Sequence, residues 1–282
     1  MRTYIINFTP TGMVPTNSMT PHVPVSPQDI IDEVIEARQY GVSIVHLHAR
    51  DKEGKPTWKK EIYQEIIDGI RSKEGYHNES LVICTSTSGR NWPEFERRSD
   101  CLTLTGSAKP DMASLTLSSL NFTSGASVNS PKMIQDLATK MHSKGIKPEL
   151  EIFDPGMINY AKYLQRKQII HPPFYFNIIL GNIAGTQAGL SDVGYLIQQL
   201  PENSIWALGG LGQAQLKMNT TAILYGGGIR IGLEDNLYLD EECTRLATNL
   251  QLLKRITEIG QLLDAKPLTP GQTRKKLALN LK

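Results

Sequence analysis

The chain carries 282 residues, of which 40 % are hydrophobic and 21 % charged, and its formal net charge is +2. So small a charge excess leaves no electrostatic footprint for a nucleic-acid partner, and no apolar run reaches the roughly 20 residues that a membrane span requires. Residues 1–10 read as a buried strand and not as a secretory leader, and Cys84, Cys101 and Cys243 are widely spaced with no C-x-x-C, so the expected home is a reducing cytoplasm.

β-Branched or apolar runs alternate with segments of helical apolar spacing along the chain. The first run, 4–8, leads into 9–27, which has five prolines and no regular period and is expected to be a long ordered loop lining a site. Ser26-Pro27 then opens a helix over 27–39, with serine at the N-cap and proline at the first helical position, where its missing N–H costs nothing. Further strands are expected over 43–47, 81–85, 112–117, 149–153, 174–180, 205–208 and 228–232. Between and after them, helices are expected over 60–71, 93–100, 131–142, 158–167, 191–199, 213–224 and 240–263. The tail 267–282, with Thr269-Pro270 starting a short helix, is a C-terminal extension suited to meeting a neighbouring subunit. Eight strands and eight helices in strict alternation favour one (β/α)8 TIM barrel domain over 1–282, although a doubly wound open sheet has the same one-dimensional pattern.

Four stretches carry chemistry. His46 and His48 lie two apart at the end of an apolar strand, so both imidazoles project from one face, toward the mouth where barrel active sites sit. Two neutral imidazoles there make a platform for a divalent metal; the plainer alternative is a pair of core histidines satisfied by carboxylates. Arg230, Glu234 and Asp235 end the eighth strand, which a closed barrel brings beside the first and near the second. Glu234 can therefore complete a two-histidine, one-carboxylate site, with Asp235 as a base held by Arg230, unless the pair is simply a solvated ion pair. In Pro148-Glu149-Leu150-Glu151, alternation puts both carboxylates on the interior face, where Arg230 is an available cation; a one-residue register slip would turn them out to meet helix lysines. The hydroxyls and backbone N–H groups of 85–89, including Ser86 and Gly89, together with Ser114 on the next strand, can hold a carboxylate, or else serve as ordinary turn chemistry. The glycines of 209–212 after the seventh run point weakly to a phosphorylated cosubstrate. His22, His77, His142 and His171 receive no role, and Trp58, Trp92 and Trp206 read as packing residues.

Thr11-Gly12, His46-Leu47-His48-Ala49-Arg50-Asp51, Pro148-Glu149-Leu150-Glu151-Ile152-Phe153 and Arg230-Ile231-Gly232-Leu233-Glu234-Asp235-Asn236 together resemble the β-keto acid cleavage enzymes, in the right order over nearly the whole chain. The resemblance implies a zinc-dependent barrel, usually a homotetramer, that converts a β-keto acid and acetyl-CoA into acetoacetate and a new acyl-CoA. Zinc then falls on His46, His48 and Glu234, the catalytic relay on Asp235, Arg230 and Glu151, and substrate contacts on Ser86, Gly89 and Ser114. Zinc on the keto oxygen and carboxylate would stabilise the enolate left when Asp235 removes a proton, a Lewis-acid role. Two departures matter. Where the amino-keto acid members carry a glutamate two residues after Thr-Gly, this chain has Val14, so a substrate with a neutral or apolar tail is expected. Gln213 stands where some relatives carry an arginine, which weakens any account of how CoA phosphates are held.

Three rivals share part of this pattern. A water-activating hydrolase barrel generally adds histidine or aspartate ligands on later strands, and no other strand end here offers a histidine. A 2-His-1-carboxylate iron oxygenase usually sits on an antiparallel β-fold, which the alternation disfavours. A barrel that binds a keto acid or CoA ester without turnover would have no need of Arg230, Glu234 and Asp235 as an oriented base.

Overall fold

The computed structural model describes residues 2–279. Eight parallel strands close a barrel: β1 Ile6–Phe8, β2 Ile44–Leu47, β3 Val82–Thr85, β4 Met112–Thr116, β5 Lys147–Ile152, β6 Phe174–Leu180, β7 Ser204–Gly210 and β8 Gly228–Ile231. Each neighbour in sequence is a neighbour in the sheet, and β8 closes the ring by pairing Ile229 with Ile6 and Arg230 with Asn7. Around it lie α1 Pro27–Ala37, α2 Lys60–Glu74, α3 Phe95–Arg98, α4 Pro131–Ser143, α5 Pro155–Arg166, α6 Leu190–Gln199, α7 Ala214–Tyr225 and α8 Asn249–Leu262.

Alternation along the strands divides the core in two. Val45, Leu47, Ile83 and Leu150 face outward into the apolar layer beneath the helices, while Ile44, Val82, Cys84, Met112 and Tyr175 fill the lower barrel interior. His46 is therefore the inward residue one step above Ile44, and Glu149 and Glu151 face inward as the unslipped register requires. A short helix, α9 Pro270–Lys276, folds back under the barrel. Its buried Arg274 donates to Ser80 O and Leu81 O and pairs with Asp111, so the tail covers the barrel's own floor; residues 280–282 of that tail lie outside the described residues.

Several boundaries differ from the sequence expectation. α5 begins three residues before 158 because Asp154 caps it, its carboxylate accepting from Met157 N with Pro155 at the first position. The helix expected over 240–263 begins only at Asn249, behind a Thr248–Gln251 capping box. Upstream of it the Asp240 carboxylate accepts from Thr244 N and Arg245 N, folding 240–245 into a turn that competes with helix. The helix expected over 93–100 is a single turn, α3. Two small sheets were not anticipated: Arg2–Tyr4 pairs in parallel with Ala265–Pro267, and Leu120–Phe122 forms a hairpin with Gly125–Ser127 above β4.

Candidate active site at the mouth of the barrel

Register brings the chemistry-bearing residues together. Arg230 sits level with Asn7, His46 with Cys84, and Glu151 with Thr116, so three pairs of neighbouring strands, distant in sequence, present Arg230, His46 and Glu151 to one space. The turn after β8 adds Glu234 and Asp235. It can approach β1 closely because Gly232, at φ +154°, has no Cβ; one would lie 2.1 Å from Thr9 O. Gly12, at φ +69°, seats Glu234 from the other side, since a Cβ there would lie 2.6 Å from Glu234 Cγ. Thr11-Gly12 thus acts as a cradle for Glu234. The loop is held in turn by the buried Arg50, whose guanidinium donates to Gly12 O and Pro15 O at 2.7 Å and to Gly54 O at 2.9 Å.

His46 Nε2 and His48 Nε2 lie 3.3 Å apart, and His48 Nε2 lies 3.2 Å from Glu234 Oε1. All three potential ligand atoms fall within 4.8 Å of one another. Behind them His46 Nδ1 donates to Glu149 Oε2 at 2.6 Å, and Glu149 Oε1 accepts from Asn7 Nδ2 and, at 3.0 Å, from Asn177 Nδ2. That network fixes the orientation of His46 so that Nε2 faces His48 Nε2, where, once deprotonated, it can ligate a metal. Glu234 Oε2 is buried with no hydrogen-bond partner among the described residues. A buried carboxylate oxygen left bare is costly unless a cation meets it.

Arg230 organises the acids. Its Nε donates to Asp235 Oδ2 at 2.7 Å, its Nη2 to Glu234 Oε1 at 2.8 Å, and its Nη1 reaches Glu151 Oε1 at 3.5 Å. Thr116 Oγ1 donates to the other Glu151 oxygen at 2.7 Å. Four carboxylates, Glu149 buried and Glu151, Glu234 and Asp235 partly so, thus share one guanidinium and two imidazoles, a surplus of acids that a divalent cation would help neutralise. The proton affinities diverge accordingly. Burial pushes Asp235 and Glu151 up, only partly offset by Arg230. For Glu234, burial is outweighed by Arg230, His48 and His46, which hold it well below the usual carboxylate range. Burial disfavours a charged His46, but Glu149 and Glu234 overcome it and raise this imidazole to about 9; His48 is lowered, chiefly by burial. A divalent ion at these nitrogens binds in competition with protons.

The site opens into a cavity of about 280 Å³ lined by His48, Ser86, Glu151, Arg230, Glu234 and Asp235, with Met13 and Val14 also on its wall. Of the residues expected to touch substrate, Ser86 lines this cavity. Ser114 and Gly89 do not; Ser114 Oγ accepts from Thr87 N, and a Cβ on Gly89 would collide with Arg98, so both shape the 85–89 loop from behind. Gly209 and Gly210 belong to β7 and make room for Arg230 and for the start of α7. A second cavity, about 510 Å³, opens beside Asp111, Lys147 and Leu279 and holds none of the converging groups. Sequence reasoning missed Asn7, Asn177, Thr116 and Arg90. The first two had a signal, each being the only polar residue inside an apolar strand.

A family model for beta-keto acid cleavage enzymes matches residues 3–279. A 3-keto-5-aminohexanoate cleavage enzyme of Fusobacterium nucleatum is 32 % identical over 281 residues, covering 99 % of each chain. A 3-oxoadipate:acetyl-CoA acetyltransferase of Cupriavidus necator is 29 % identical over 278 residues, 98 % of this chain and 94 % of that one. Among solved structures, ObcA in ternary complex with a C4-CoA adduct and oxalate superposes with a TM-score of 0.79 at 20 % identity, over 92 % of this chain and 68 % of that chain, a likeness of fold. With its barrel, its converging site and a match over almost its entire length, this chain belongs to the beta-keto acid cleavage enzyme family.

Proposed function

We propose that this protein cleaves a β-keto acid with acetyl-CoA, giving acetoacetate and a new acyl-CoA, at a zinc site formed by His46, His48 and Glu234. The observation that carries the reading is the meeting of those three ligand groups, one with a bare buried oxygen, beside an Arg230-held Asp235. Zinc held there supplies Lewis acidity for the negative charge that develops on the keto oxygen. Asp235 removes a proton from the carbon between ketone and carboxylate, and burial gives it the proton affinity that a base needs. Arg230 aims the Asp235 carboxylate through Nε, and Glu151, tied to Thr116, holds the other side of the guanidinium. Ser86, on a loop shaped by Gly89 and Ser114, faces the substrate carboxylate. The carbon nucleophile attacks the thioester carbonyl of acetyl-CoA; the released CoA thiolate then attacks the original ketone, and the carbon–carbon bond breaks to leave acetoacetate and acyl-CoA. Val14 at the cavity wall offers no counter-ion to an amino group. The family resemblance and three free thiols support a homotetramer working in the cytoplasm, with exposed Ile183, Leu190 and Tyr195 around α6 as candidate contacts.

The test is metal analysis of purified protein together with a panel of β-keto acids and labelled acetyl-CoA. Stoichiometric zinc and labelled acetoacetate are expected, with both lost in the His46→Ala, His48→Ala double variant and activity down by about 10²- to 10⁴-fold in Asp235→Asn. Full metal retention by the double variant, or no labelled acetoacetate from any panel member, sinks the reading.

A further inference from the structure

Arg90 is the charged residue of the cavity that the proposed chemistry leaves unused. It follows the 85–89 loop and lines the same space as Ser86, Glu151 and Glu234. Its guanidinium carbon lies 3.8 Å from the centroid of the Phe122 ring, and Phe122 meets Phe153 edge-on at 5.9 Å, so an aromatic shelf fixes its place. A guanidinium lying on a ring leaves its N–H edge free to bind an oxyanion. Arg90 is half-buried, yet among the described residues it forms no ion pair, in contrast to Arg230 with three carboxylates. The same cavity has apolar wall residues, Leu120, Phe122, Phe153, Ile179 and Leu211, alongside its polar ones.

We propose that Arg90 binds a second carboxylate at the far end of the keto acid, so that the preferred substrate is a β-keto diacid whose methylenes cross the apolar walls. The inference rests on the cleavage reading and names its substrate class. It departs from the neutral tail expected from Val14: Val14 itself offers no acid to an amine, Glu151, Glu234 and Asp235 are engaged by Arg230, and Arg90 is a cation left for an acid. The other oxyanion in the reaction is a CoA phosphate. Its contribution is separated from that of the tail carboxylate by varying acetyl-CoA in the test.

The experiment compares zinc-loaded parent, Arg90→Ala and Arg90→Lys on β-keto acids of matched length ending in carboxylate, methyl or ammonium, with acetyl-CoA varied independently. The parent should favour carboxylate over ammonium tails by at least about tenfold in kcat/KM. In Arg90→Ala the carboxylate tail should lose about 10- to 100-fold more than the methyl tail, as expected for one charge-assisted contact, with partial recovery in Arg90→Lys. Equal losses on all three tails would overturn the assignment, as would a raised KM for acetyl-CoA without tail discrimination, the signature of a phosphate contact. Binding without turnover separates this from failure of the cleavage reading. Dicarboxylates from glutarate to adipate should raise the Tm of the parent more than their monocarboxylate counterparts, and Arg90→Ala should lose that difference. If no tail is cleaved yet the difference holds, the reaction is wrong and the Arg90 subsite stands; if no difference is seen in the parent, the subsite is wrong.

Discussion

Glu149 touches no cavity wall, yet it decides how His46 presents itself. One oxygen takes the Nδ1 proton and the other collects two amides, so the ring can neither flip nor change tautomer without breaking a buried network. Glu149→Gln should therefore weaken metal binding by about 10- to 100-fold, measured by competition with a chelator, while the folded barrel persists. Unchanged affinity would mean that His46 is oriented by packing alone. At this scale the sequence was informative about type and poor about partnership. Strand alternation put Glu149 and Glu151 inside and set His46 and His48 on one face, because a period of two is local. That Asn7, 142 residues away, would meet Glu149 depends on register across the closed ring, which no local pattern records. Arg90 was illegible for another reason: arginines are common in loops, and only the ring beneath it and its lack of an ion pair among the described residues mark it out.

Turns, more than strands, set the upper half of the site. Gly12 and Gly232 let the loops after β1 and β8 approach within a side chain's width, and Glu234 is held between them. In Gly12→Ala the added methyl meets Glu234 in a left-handed backbone position, costing on the order of 1–3 kcal/mol and displacing the carboxylate. Metal content should fall more sharply than Tm; a lowered Tm with full metal content would show that the loop yields and Glu234 does not. Among the elements, α1, α4 and α9 were readable because Ser26, Ser130 and Thr269 cap them with a proline following. The hairpin Leu120–Phe122 with Gly125–Ser127 was not, since three-residue strands have too little period to stand out. Its Phe122 nevertheless supplies the shelf under Arg90.

For the whole molecule, the alternation of strand and helix was plain in the sequence, but closure was not, because an open sheet needs the same order of elements. What closes it is the β8–β1 pairing, and that pairing carries Arg230 to Asn7. The outer layer also contributes a pH dependence away from the metal ligands. Glu33 on α1 has its carboxyl raised to about 7, first by burial, with Glu36 and Asp29 adding to it against a hydrogen bond from Asn249. A carboxyl raised above its unfolded value of 4.5 gives stability that is present below that pH and lost as pH rises through about 7. Glu33→Gln should therefore raise Tm above pH 7 relative to the parent, the gap closing below pH 4.5. A gap that is constant across the range would assign the effect to packing.

The clasp made by Arg50 bears on how ligands are chosen. One guanidinium gathers three carbonyls from two loops and anchors them to the end of β2, while Asn249 on α8 takes Pro10 O. The proline-rich segment is thus fastened at several points to the rigid frame, unlike a hinged cover. With Met13 and Val14 on that fastened segment, the wall they form is held to a fixed contour, so sorting among keto acids there is expected to work by fit.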